Sequence, residues 1–94
     1  MRVEWTRRAL RSLDAIGDYI AKDNPDRAVT FTPELFRRVD RLARFPKMGR
    51  SSERADVREF VIHTHYPVSY RLRPGKVEVL DIWHSARQRL DRGE

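Results

Sequence analysis

The sequence has no cysteine, which excludes disulfide scaffolds, Cys-based zinc sites and thiol nucleophiles. It has no run near the ~20 apolar residues that a membrane span needs. Met1-Arg2-Val3-Glu4-Trp5 leads into no apolar stretch, so no secretion signal is expected. Only 4 glycines and 5 prolines are present, with no repeats, no low-complexity tract and no linker able to divide the chain. Acids are also short: 14 Asp and Glu against 20 Lys and Arg leave a formal net charge of +6. At 94 residues, 39 % apolar and 36 % charged, the chain is too apolar for disorder and too polar for a membrane protein. One domain over residues 1–94 is expected, small, soluble, cytoplasmic and basic. Its charge points to an anionic partner, either nucleic acid or an acidic protein segment.

Hydrophobic periodicity then sets out the elements. Residues 2–6 alternate, with Val3 and Trp5 on one side, as a short strand does. From Thr6, a plausible N-cap, Leu10, Leu13, Ile16 and Ile20 recur at helical spacing and predict an amphipathic helix over residues 7–22. Asn24-Pro25 reads as a stop and restart, since proline fits a helix's first turn. The second helix carries Ala28, Phe31, Leu35, Val39 and Leu42 on one stripe and ends near Phe45-Pro46. Pro33 lies inside it and predicts a kink or short break around residues 30–33. Residues 46–56 are rich in turn formers and read as a loop. Strand-like runs follow at 57–62, 66–72 and 77–83, the last being the most β-prone and the expected centre of the sheet. Arg73-Pro74-Gly75-Lys76 is a hairpin turn. Pro67 is expected where no ladder N–H is needed. The order β-α-α-β-β-β implies an α+β fold, an antiparallel helix hairpin on a mainly antiparallel sheet of about four strands.

The sequence contains none of the common nucleotide-binding, zinc-protease or serine-hydrolase motifs. His63-x-His65 and His84 are the only histidines, without clustered carboxylates, so no metal and no cofactor are expected. Asp81 could face inward, where its expected role is to pair with an arginine. Arginine dominates from Arg37 to Arg58, a span that reads either as a solvated helix face or as a surface for phosphates. Tyr70 and Trp83 suit a core better than a stacking platform. At the end of the last strand His84 and Arg87 leave the sheet together. A histidine there can exchange a proton near neutral pH, and an arginine can stabilise phosphate charge. The other reading is that His84 simply closes the strand.

Taken in order, these pieces resemble the RelE/ParE superfamily of toxins from bacterial type II toxin–antitoxin systems, and its ParE branch in particular. The resemblance is carried by Val3-Glu4-Trp5-Thr6 and Ala9-Leu10-Arg11-x-Leu13-x-x-Ile16-x-x-Tyr19-Ile20. It continues through Asn24-Pro25, Arg38-Val39-x-Arg41-Leu42-x-x-Phe45-Pro46-x-Met48-Gly49-Arg50, Val57-Arg58-Glu59, Tyr70-Arg71, Val77-Glu78-Val79-Leu80 and His84-x-x-Arg87. RelE-like members cleave messenger RNA on the ribosome, whereas ParE-like members poison DNA gyrase. Of the basic positions the ribonucleases use, Arg58 and Arg87 are present, but Phe60 and Pro67 stand where a lysine and an arginine would be. No tyrosine follows Arg87. Ser85 follows His84, so a His–Tyr ending is absent as well.

The resemblance therefore implies a gyrase-inhibiting toxin without a catalytic set of its own. Its target-binding candidates are Arg58, Tyr70, His84 and Arg87. The partner it implies is a cognate antitoxin with an acidic, disordered C-terminal segment that orders on contact. Trp5, Tyr19 and Phe36, with the outer side of the helix hairpin, are the antitoxin-binding candidates. The alternatives are a ribosome-dependent mRNA endonuclease, with Arg58, His84 and Arg87 as catalytic residues, and a non-toxic basic binding module.

Overall fold

A computed structural model describes residues 1–86 of the chain. Its element order is β1 (Arg2–Trp5), α1 (Arg7–Asp23), α2 (Pro25–Val39), a 3-10 turn (Asp40–Ala43), β2 (Arg50–Ser51), β3 (Val57–His63), β4 (Tyr66–Arg73) and β5 (Lys76–Ile82). The strands form one sheet in the order β1-β5-β4-β3-β2. All pairings are antiparallel except β1 with β5, where Val3 lies opposite Val77 and Trp5 opposite Val79. The α+β architecture inferred from the residues is the one found.

Local chemistry fixes the helix ends. The Thr6 hydroxyl accepts from the Ala9 amide at 3.1 Å and donates to the Val79 carbonyl at 2.8 Å, so one side chain caps α1 and ties it to β5. Asn24 serves both helices: its amide donates to the Ile20 carbonyl at 2.8 Å and its side chain accepts from the Arg27 amide at 3.0 Å. Pro25 follows at the first helical position. The hairpin closes tightly because Gly17 has no side chain; a Cβ there would sit 3.0 Å from the Thr32 methyl.

Three expectations need correction. First, the sheet has five strands, because the segment read as a loop contains the two-residue β2 paired to Arg58 and Glu59. A strand that short has no periodicity to detect. Second, β4 rather than β5 lies at the centre of the sheet. Third, α2 runs unbroken through Pro33 but stops at Val39, short of Phe45. Pro33 withholds its hydrogen bond from the Val29 carbonyl, and Val29 is exposed, so water can take that place. Tyr70, a target-contact candidate that the sequence also reads as a core aromatic, is wholly buried. Pro67 lies in the central strand β4, opposite Val61 of β3, and its carbonyl accepts from the Trp83 amide at 3.2 Å.

The core lies between the helix hairpin and one face of the sheet. Ala9, Leu13 and Ile16 from α1 and Phe31, Leu35 and Val39 from α2 meet Val68, Tyr70, Val77, Val79 and Ile82. The other face is left open.

Candidate functional site

The alternation of a strand decides what the open face presents. In β3 and β4 the cross-strand pairs Arg58–Tyr70 and Phe60–Val68 share the face of the buried Tyr70 and Val68, and Phe60 packs against the core. Glu59 opposite Ser69 and Val61 opposite Pro67 therefore point to the open side. The two β3 residues singled out from the sequence, Arg58 and Phe60, lie on the covered face, and their neighbours Glu59 and Val61 lie on the open one. Sequence alone gave no reason to prefer one parity. The buried Ile62 shares the parity of Phe60 and Arg58, but the equally buried Val57 has the opposite one, so the apolar residues of β3 mark both faces.

The open face carries a hollow with a volume of ≈ 600 Å³. Met48, Arg50, Glu59, Phe60, Val61, Pro67 and Trp83 line it, with Ser85 at the exit from β5. It offers one carboxylate, one guanidinium and otherwise mostly apolar surface. Met48 and Trp83 belong to this hollow and were not among the site residues expected from the sequence.

Beneath its rim a latch holds the segment after the 3-10 turn. Tyr70 Oη accepts from the Gly49 amide at 2.9 Å and donates to the Pro46 carbonyl at 2.8 Å, while Arg58 Nη1 donates to the Gly49 carbonyl at 2.7 Å. Burial raises the Tyr70 phenol above its ordinary value near 10, against the lowering effects of the Gly49 hydrogen bond and nearby Arg58. Only glycine fits at 49, because a Cβ would lie 2.6 Å from Tyr70 Oη and 2.8 Å from the Glu59 carbonyl oxygen. Tyr70 and Arg58 thus meet each other, and both position β2.

The histidines gather elsewhere. His84 stacks on His65 with ring centroids 5.5 Å apart and meets Tyr66 edge-on at 5.0 Å. His63 packs edge-on against Phe31 at 5.1 Å, with Nε2 3.7 Å from Glu34. Glu34 also holds Arg27 at 3.4 Å and Arg38 at 3.2 Å. Among the described residues no group of three metal-ligating side chains converges. Asp81 does face inward and pair with an arginine: Arg8 Nε stands 3.6 Å from one oxygen, and the Ser12 hydroxyl donates to the other at 2.6 Å. Arg87 lies outside the described residues.

On the hairpin side, Trp5 and Phe36 are brought together as parallel stacked rings, 5.0 Å between centroids and 9° between planes. Trp5 Nε1 is buried with no hydrogen-bond partner among the described residues. Tyr19 is half-exposed and does not share that site. It lies past the Gly17–Thr32 crossing, towards the turn between the helices, while Phe36 lies one turn the other way.

With this geometry in place, three comparisons agree. The family described as "ParE toxin of type II toxin-antitoxin system, parDE" matches residues 3–89. Y4kP of Sinorhizobium fredii, which carries a toxin designation, is 41 % identical over 88 residues, covering 93 % of this chain and 91 % of its own. Toxin RelE2 of Caulobacter vibrioides is 38 % identical over 86 residues, covering 92 % and 97 %. A solved chain of the chromosomal ParDE system of P. aeruginosa superposes with a TM-score of 0.81 at 26 % identity, covering 89 % of this chain and 95 % of that one. The two helices on a mostly antiparallel sheet define a RelE/ParE-type toxin fold. The chain belongs to the ParE toxin family of type II toxin–antitoxin systems.

Proposed function

We propose that this toxin acts in the cytoplasm by binding DNA gyrase, and that a cognate antitoxin with an acidic, disordered C-terminal segment neutralises it. The lining of the open sheet face is the observation that carries the gyrase reading. In-line attack by a ribose 2′-hydroxyl needs a base, an acid and stabilisation of phosphate charge acting together. Among the described residues the hollow supplies Glu59 and Arg50, surrounded by Met48, Val61, Pro67 and Trp83. Arg58, the strongest catalytic candidate on the strands, is instead committed to the Gly49 carbonyl. A poison that works by binding needs no such set. The half-exposed Trp5–Phe36 stack supports an apolar docking point for the antitoxin, and the +6 charge suits an acidic segment.

The test combines purified toxin with gyrase, ATP and plasmid, scored for supercoiling and cleaved linear DNA. Linear DNA that appears with toxin and disappears with antitoxin is expected. Unchanged supercoiling at a large excess of folded toxin would overturn the reading. Because one relative carries the name Toxin RelE2, the parallel arm is mRNA cleavage on translating ribosomes, comparing the native chain with His84→Ala. Cleavage lost in that variant would establish the ribonuclease alternative. Absence of both activities, with no effect of expression on growth, would leave the non-toxic basic binding module.

A further inference from the structure

Cross-strand charges elsewhere on the sheet are matched, Arg71 with Glu78 at 2.9 Å and Lys76 with Glu4 at 2.7 Å. The hollow on the open face differs. Arg50 of β2 stands directly opposite Glu59 of β3, and both side chains line the hollow. Neither makes an ion pair or a side-chain hydrogen bond among the described residues. Glu59 is half-buried, so its carboxylate has lost part of its hydration with no cation beside it. Around this pair the surface is apolar and accessible: Val61 keeps 59 % of its surface and Met48 39 %.

We propose that the hollow is the contact between two copies of this chain, packed face to face about a twofold axis. This inference does not depend on the gyrase reading. A twofold contact repeats every pairing, residue i against j and j against i. An axis lying in the interface, along the strand direction between Arg50 and Glu59, sets each guanidinium over the other copy's carboxylate. One adjacent couple of opposite charges is then satisfied twice. Met48 precedes Arg50 by two residues and Val61 follows Glu59 by two, and β2 and β3 are antiparallel. The same axis therefore sets Val61 of each copy over Met48 of the other.

Charge singles out this occupant. A chain of net charge +6 repels its own copy, so a self-contact has to lie where the surface is locally neutral. The hollow is such a place, with one base and one acid in its lining. An acidic peptide or a nucleic acid meets no excess of positive charge there. At ~3.3 Å per residue and ~4.8 Å between strands, this part of the sheet offers about 400 Å² in projection. Two copies then bury on the order of 800–1,000 Å², the range of weak, transient contacts, and a dissociation constant of about 0.1 mM is expected.

The test is sedimentation equilibrium of the whole chain from about 10 µM to about 1 mM, on either side of that constant. The weight-average mass should rise from the monomer value towards twice that value. Arg50→Glu and Glu59→Arg each set like charges across the contact twice and should raise the dissociation constant about tenfold. Mixed in equal amounts, the two variants restore both opposite pairings and should associate as the native chain does. The double variant Arg50→Glu with Glu59→Arg should also recover native association. It keeps opposite charges across β2 and β3, so it remains decisive if thermal melts show a single variant to be unfolded. A monomer at every concentration would overturn the proposal. So would self-association that neither single variant weakens, or a mixture and a double variant that both fail to recover it.

Discussion

On the covered face of the sheet Val68, Tyr70, Val77, Val79 and Ile82 are almost wholly shut off from solvent, whereas on the open face Val61 keeps 59 % of its surface. The two sets alternate along the same strands, yet they answer to different physics. The covered side is held by apolar burial and close packing. The open side is held by cross-strand ion pairs such as Arg71–Glu78 at 2.9 Å and Lys76–Glu4 at 2.7 Å. Those pairs are partly solvated, so each contributes little to stability. Stability therefore resides on one face. The other face is left open, with Val61 among its exposed residues.

The comparison predicts a graded series of effects. Leu35→Ala, at a fully buried position of α2, should cost about 2–5 kcal/mol in denaturant unfolding. A loss below about 1 kcal/mol there would mean that the covered face is not the stabilising one. Gly49→Ala forces a Cβ against Tyr70 Oη and the Glu59 carbonyl oxygen and should cost about 1–3 kcal/mol. Native-like stability in that variant would show that the latch yields easily.

Tyr70→Phe removes the partner of the buried Gly49 amide and should cost about 1–2 kcal/mol. It also carries a pH signature. The folded state raises the Tyr70 phenol above its ordinary value near 10, so the neutral form is the one that folding favours. Its contribution is complete below that ordinary value and is lost as pH rises through the raised folded value. Melts between about pH 8 and pH 11 should fall more steeply for the native chain than for Tyr70→Phe. Parallel slopes would remove the phenol from the account. Smallest of all, Val61→Thr on the open face should change stability by no more than about 0.5 kcal/mol. A larger loss would make the open face a structural one.

Much of the fold was legible because burial leaves a period. The helical spacing of Leu13, Ile16, Phe31, Leu35 and Val39 and the alternation of Val77 and Val79 located the elements to within a residue or two, apart from the end of α2. Thr6, Asn24 and Pro25 announced the helix ends through their hydrogen-bonding chemistry. The candidate site was less legible. Arg58 and Tyr70 were chosen for their chemistry, yet they brace the Gly49 segment beneath the open face. Trp5 and Phe36 do meet, while Tyr19 lies at the other end of the hairpin. Met48 and Trp83 were missed as site residues because nothing in their local pattern reports that a two-residue strand folds one of them towards the other.

The sequence by itself determined the elements, their caps, the buried stripe and the family, since each rests on interactions between residues close in the chain or on an ordered set of residue types. Only the tertiary structure decided which parity of β3 faces outward, where β2 docks, and which arginine meets Asp81 at the start of α1. Those outcomes depend on strand register and, for Asp81, on Leu80, the residue of β5 that the pairing with β4 skips. A shift of one residue there exchanges the two faces while leaving the local sequence pattern unchanged.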